Sequence, residues 1–163
     1  MRARRRCARF RVVLDRPRVD AERLRLYAAW HAGRERDRAW DPAPLDAEGY
    51  AMQFAYPHPA AWELTLRDRD RLVALTLCDI TPRAWSAIFG FHDPDEARLS
   101  PGVATVLLAV ELARARRIPH VYLGYRVLGC ASMRYKAGYG PHELLHGLPA
   151  ADEEPRWVEA ADP

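Results

Sequence analysis

Lysine is almost absent: of 25 basic side chains only Lys136 is a lysine, and the rest are arginines. An isolated lysine in an arginine-rich chain hints at a position where arginine will not do, although one lysine can also persist by chance. Cysteine is scarce. Cys7, Cys78 and Cys130 lie far apart and form no Cys-x-x-Cys pair, which excludes a sequence-encoded zinc or iron–sulfur site. The histidines add no ligand set. His142 and His146 are four apart, but Pro141 and Gly147 leave too short a helix between them for a good site, so no metal is expected. No apolar run approaches the length needed to span a bilayer, and the arginine-rich start lacks a hydrophobic signal core. A cytoplasmic protein with no membrane partner is expected.

What is present is ordinary for a globular chain: 163 residues, 49% hydrophobic and 29% charged, enough for one substantial core. A formal charge of +3 permits nucleic-acid binding without demanding it. Residues 1–9 read as a basic, solvated tail, and residues 148–163 as an acidic, proline-bearing, disordered one with an anchor at Trp157. The domain proper is expected over 10–147.

Inside it, Phe10, Val12 and Leu14 alternate as a short strand. Asp20 caps a helix running to about Gly33, with Leu24, Tyr27, Ala28 and His31 on one face. A charged loop follows, then a short helix over 46–54. Three strands come next. Trp62, Leu64 and Leu66 alternate, the nearly unbroken apolar run 72–80 predicts a central strand, and 84–91 is the third. The stretch 89–141 then reads strand, polar loop, helix, strand, helix. Ser100 is placed as N-cap and Pro101 as first helical residue, and Gly102 keeps the first turn bare. Val103, Val106, Leu107 and Val110 are expected to face the sheet, and Pro119 stops the helix. Free amides at such a helix start favour a phosphate, a carboxylate or a developing oxyanion, although an ordinary capped helix has the same signature. Gly124 interrupts the next strand between Tyr122 and Tyr125, as at a bulge or a close backbone approach, and 129–138 reads as a short helix with a glycine cap. The fold class is α/β (α+β), a mixed sheet flanked by helices.

The segments DPDEARLSPG, YLGYRVLGCASMRYKAGYGPHELL and LVALTLCDITPRAWSAIFGF together resemble the C-terminal domain of the aminoacyl-tRNA–protein transferases of the N-end rule pathway. That family includes the bacterial aspartate/glutamate leucyltransferases and the arginyltransferases. The resemblance implies a GCN5-related N-acetyltransferase-like fold, and the tail YKAGY resembles that fold's tyrosine–glycine–aromatic ending. It covers roughly residues 3–147. Two departures stand out. Ser100-Pro101-Gly102-Val103 replaces the family's usual Ser-Leu-Gly-Thr, losing a hydroxyl donor. The family's cysteine-rich N-terminal domain has no counterpart in this chain, which leaves room for a separate cysteine-rich protein as partner.

The implied reaction moves an aminoacyl group from a tRNA ribose ester to a protein α-amine. The expected partners are aminoacyl-tRNA and protein N-termini beginning with Asp or Glu. No cofactor is implied, because the amine is itself the nucleophile. The reaction needs a neutral amine, donors for the oxyanion and a proton for the departing ribose oxygen. Gly102 and Val103 offer amides beside Ser100. Asp93 or Asp95 can orient or deprotonate the ammonium, or simply form an Asp-Pro-Asp turn. Arg98 can hold a tRNA phosphate or neutralise Asp95 and Glu96. Tyr122, Tyr125 and Tyr135, around Gly124, can stack on the terminal adenine or donate a proton, or pack as core with their hydroxyls at the rim. Lys136 can pair with the acidic acceptor side chain or with phosphate, or sit on a helix surface. Asp93, Tyr125 and Lys136 are the expected catalytic group; the other eight residues are expected to bind substrate. Leucine is favoured over arginine as donor, with both open. Two alternatives remain. An acyl-coenzyme A-dependent N-acyltransferase would share the fold, but the position normally basic in its pyrophosphate loop is Leu99, with Arg98 one residue early. A non-catalytic tRNA- or peptide-binding module is the other.

Overall fold

The computed structural model describes residues 2–127 and 129–160, in two compact units that divide between Gly124 and Tyr125. The first unit is built on a five-stranded sheet of order β1-β2-β3-β4-β5. Its strands are β1 (Arg11–Asp15), β2 (Ala61–Asp68), β3 (Arg71–Ile80), β4 (Ala84–His92) and β5 (His120–Tyr122). The first four are antiparallel neighbours, and β5 joins β4 in parallel. β3 is the central strand, as its apolar run predicts, with Leu72 to Cys78 all buried.

One face carries α1 (Arg2–Arg6) and α4 (Pro101–Ala115); the other carries α2 (Ala21–Arg38) and α3 (Ala47–Phe54). Trp85, Leu64, Leu66 and Val73 pack with Ala104, Leu108, Ala109 and Ala113 of α4 to form one core. Tyr27, Trp30, Tyr50, Leu75, Leu77 and Phe91 form the other. α4 therefore buries its small residues, while Val103, Leu107 and Val110 are only half-buried; of the expected face only Val106 is buried. Alanines allow the helix axis to approach the sheet closely, so the wider valines turn to the flank.

Local chemistry explains the helix starts. Asp20 Oδ1 accepts the Arg23 amide at 2.9 Å and Asp46 Oδ1 the Gly49 amide at 2.8 Å. α2 runs one full turn past Gly33, and its inner face is Arg23, Leu26, Tyr27, Trp30 and His31, which keeps Tyr27 and His31 of the expected face while Leu24 is only half-buried and Ala28 is exposed. Residues 2–9, expected as a solvated tail, include a short helix. Cys7 is buried and its Sγ donates to the Leu99 carbonyl at 3.5 Å, Ala3 packs on the core, and Arg4 reaches Glu111 at 3.2 Å.

The second unit holds a 3₁₀ helix over Ala131–Gly138 and a two-stranded antiparallel ribbon of β6 (Glu143–Leu145) and β7 (Trp157–Glu159). Trp157, expected as an anchor in a disordered tail, opens the second strand of that ribbon. No described helix is long and apolar enough to cross a membrane.

Candidate functional site

The first unit's candidate site begins where the sheet opens. β4 runs from Ala84 to His92, but β5 pairs only with Ala84, Trp85 and Ser86. From Ala87 onward the β5 side of β4 is unpaired by that strand. A register shift between Leu77 and Cys78 bulges β4 there, and Ile88 is exposed. The chain leaves β5 through Gly124, whose φ of 70° is left-handed. Gly124 thus turns the chain after a strand that has already ended at Tyr122, rather than bulging a longer one.

The first turn of α4 sits over this open stretch. Thr76 on β3 pairs with Gly90 on β4, and Thr76 Oγ1 donates to Thr105 Oγ1 at 3.0 Å. Thr105 Oγ1 in turn donates to the Gly102 carbonyl at 2.9 Å. This hydroxyl relay pins the start of the helix to the sheet. Gly90 makes room for it, since a Cβ there would lie 3.1 Å from Thr76 Oγ1. Gly102 is exposed, and a Cβ there would meet nothing within 4 Å. The amides of Gly102 and Val103 belong to the first helical turn, where no intrahelical acceptor exists. Pro101 is the first helical residue, as expected. Ser100 is not a side-chain cap: its backbone is left-handed, with φ 59°, and its hydroxyl makes no bond to the helix.

The loop before α4 is a 3₁₀ turn over Pro94–Leu99. Asp93 caps it, Oδ1 accepting the Asp95 amide at 3.0 Å, while Oδ2 pairs with Arg71. Both Asp93 oxygens are therefore engaged. Asp95 and Arg98 are exposed, and neither forms an ion pair among the described residues. Arg98 does not neutralise Glu96. Glu96 is buried between Arg9 at 3.2 Å and Arg71 at 2.7 Å. The hydrogen bond that Arg71 donates to Glu96 holds its guanidinium above the ordinary value. Tyr122 lies on β5 with its ring 6.2 Å from that of His120.

Sequence reasoning missed two features of this unit. His92 ends β4; burial, then the charge of Arg34, pushes its imidazole below the ordinary 6.5. Its place beside Asp93 was the available signal. The other is a buried pair on the α2 side: Arg23 and Glu63, each 1% exposed, meet in a two-pronged contact, and Asp20 also reaches Arg23. Burial opposes charge on both, but Glu63 holds Arg23 above its usual value. No spacing in the sequence links positions 23 and 63.

The remaining expected residues lie in the second unit. Tyr125 is 86% exposed. Lys136 Nζ donates to the Tyr125 carbonyl, and burial pushes its ammonium below the ordinary lysine value. Tyr135 is half-exposed, its ring 6.0 Å from that of Tyr139, and burial raises its phenol. Gly138 is the last residue of the 3₁₀ helix rather than its cap; Tyr139 takes that place. Among the described residues no group of His, Cys, Asp and Glu is arranged to hold a metal ion.

The family model described as "Arginine-tRNA-protein transferase, C terminus" matches residues 22–146. The chain belongs to this family. Transferase relatives include an aspartate/glutamate leucyltransferase of Campylobacter jejuni subsp. jejuni, 33% identical over 144 residues, covering 84% of this chain and 58% of that protein. Another, from Pseudomonas putida, is 33% identical over 134 residues, covering 82% and 56%. The chain thus spans a little over half the length of these transferase relatives. Solved acetyltransferases share the fold. A possible acetyltransferase from Clostridium difficile superposes with a TM-score of 0.62 at 8% identity, covering 86% of this chain and 97% of that one. A ribosomal-protein-alanine N-acetyltransferase from Brucella melitensis gives 0.55 at 15%, covering 86% and 98%. The chain therefore has the GCN5-related N-acetyltransferase fold, an α/β mixed sheet flanked by helices.

Proposed function

We propose that this chain transfers an aminoacyl group, leucine in preference to arginine, from aminoacyl-tRNA to the α-amine of proteins beginning with Asp or Glu, marking them for degradation in the cytoplasm. The observation that carries the reading is the bare α4 start at Gly102, held by the Thr76–Thr105 relay over the open stretch of β4. Membership of the transferase family and its leucyltransferase relatives support it.

The acceptor amine attacks the ester carbonyl, a C–N bond forms, and the carbonyl oxygen becomes an oxyanion. Gly102 and Val103 amides donate to that oxygen. Collapse breaks the C–O bond to the ribose, and the ribose oxygen leaves with a proton while the amine loses one. Asp95, exposed where Asp93 is committed to Arg71, orients the incoming ammonium. Arg98 holds a phosphate of the tRNA end. In the first unit Tyr122, Ser100 and Gly124 bind the donor end; in the second, Tyr125 and Tyr135 stack on the terminal bases, and Lys136 meets the acidic acceptor side chain.

The test is transfer of labelled leucine or arginine from charged tRNA to peptides beginning with Asp, Glu or Ala. Leucine appearing on the Asp and Glu peptides, and lost in Gly102→Leu with the melting temperature held, is the expected result. Absence of transfer from any charged tRNA, together with thermal protection by acetyl-coenzyme A, would overturn the proposal in favour of an acyl-coenzyme A enzyme.

A further inference from the structure

The helix α1 carries four arginines in five residues, and the structure uses only part of that charge. Arg4 pairs with Glu111, and Arg9, just beyond the helix, pairs with Glu96. Arg2, Arg5 and Arg6 are exposed and form no ion pair among the described residues. Arg6 Nη1 donates to the Arg98 carbonyl at 3.2 Å, which brings a second exposed, unpaired arginine alongside it. Of the two acids just before it, Glu96 pairs with Arg9 and Arg71, and Asp95 makes no ion pair with Arg98 among the described residues. Helix electrostatics do not account for this. Basic residues suit the last turn of a helix, but Arg2 lies in a first turn that holds no acid, where positive charge is unfavourable, and Arg98 lies outside the helix. The segment is also fixed in place: Cys7 is buried and bonded to Leu99, one residue before Ser100. Arg6 and Arg98 thus lie beside the segment that leads into α4, and Arg2 and Arg5 extend the unneutralised charge back along α1, whose Arg4 reaches Glu111 in the later half of α4.

We propose that Arg2, Arg5, Arg6 and Arg98 form a ridge that binds the phosphodiester backbone of the RNA donor and leads its strand toward Gly102. The partner follows from charge complementarity: guanidiniums spaced along a ridge match successive phosphates, and their contacts carry affinity without sequence preference. The inference rests on the proposed tRNA donor but concerns a surface outside the reacting centre.

The test uses the full chain and a fluorescent RNA hairpin of acceptor-stem length with a single-stranded 3′ end, titrated by anisotropy between 50 and 200 mM salt (on the order of the range where such slopes are read). Arg2→Gln/Arg5→Gln touches no bonded group and should lower the slope of log Kd against log salt by about 0.7–0.9 per arginine, or ~1.5 in all. Arg2→Lys/Arg5→Lys should retain the slope, and Arg5→Glu should weaken binding beyond Arg5→Gln. In the transfer assay the double glutamine variant should raise KM for aminoacyl-tRNA and leave kcat unchanged. An unchanged slope and KM in a folded double variant overturns the ridge. So does a variant that keeps its RNA slope but loses affinity for phosphatidylglycerol vesicles, since the surface would then be a lipid contact. A wild-type chain that transfers nothing but shows the slope change loses the proposed function and keeps the ridge.

Discussion

Replacing Thr105 with valine removes the middle of the relay that fixes the α4 start, at nearly constant volume. Thr105 and Thr76 are both buried, so water cannot substitute for the lost partner. Two hydrogen bonds disappear, each worth about 0.5–1.5 kcal/mol net, and the Thr76 hydroxyl is left without its acceptor, so the total cost is about 2 kcal/mol. For a chain of this size that lowers Tm by about 4–8 °C, taking about 2–4 °C per kcal/mol. Thr76→Val/Thr105→Val should cost much less than the sum of the single changes, because the double variant has no orphaned hydroxyl. Gly90→Ala should reproduce part of the loss by pressing a methyl on Thr76 Oγ1. Urea denaturation of the four variants gives the coupling energy. A Thr105→Val protein as stable as wild type, or strict additivity in the cycle, would falsify the relay as a structural device.

Arg23→Met leaves Glu63 as a buried unpaired carboxylate and should cost about 3–5 kcal/mol in denaturant unfolding, whereas Arg23→Met/Glu63→Leu should recover most of that. His92 gives a pH dependence. Its folded pKa is depressed below 6.5, so the unfolded chain binds the proton first; stability is full above 6.5, falls as pH drops through the folded value, and flattens below it. His92→Gln should remove that decline, and urea midpoints measured from pH 7.5 down to about 5 will show it or not. Gly102→Ala should be neutral or slightly stabilising in the melt, gaining up to about 1 kcal/mol of helix propensity in open space. Gly102→Leu should cut transfer at least about tenfold at the same stability, and equal activity of the two would refute a close approach of substrate to that amide. Among the thiols, Cys7 is buried and its pKa raised by burial, and Cys78 is pushed up to about 12. A thiol reagent should therefore modify partly exposed Cys130 quickly and the other two only in denaturant.

Much of this architecture is legible in residue order because the signals are local. Asp20 and Asp46 cap their helices through amides three residues on, and Pro101 starts α4. The apolar run 72–80 predicts the central strand it becomes, and the motifs over 72–145 carry the family. Where the reading went astray, the competing residues were equally good locally. Val103 and Ala104 both belong to apolar stripes on α4, and only the distance to the sheet selects the smaller. Ser100 is an acceptable cap by residue type, yet the 3₁₀ turn before it delivers a left-handed backbone that points the hydroxyl elsewhere. Residues 2–9 look like a solvated tail until Cys7 and Ala3 are seen against α4 and the sheet.

By itself the sequence determined the types of the main helices and strands between residues 11 and 122, the central strand, the bare glycine at position 102 and the family, since each depends on neighbours within a turn or a strand, or on a motif read as a word. Tertiary structure alone decided which atoms meet. Arg23 finds Glu63 across 40 residues, Glu96 turns to Arg9 and Arg71 instead of Arg98, and β4 parts from β5 after Ser86. Periodicity specifies a face up to a rotation and says nothing of the partner opposite. That partner is set by the packing of whole layers, where a buried charge must find its counter-ion wherever the chain brings one.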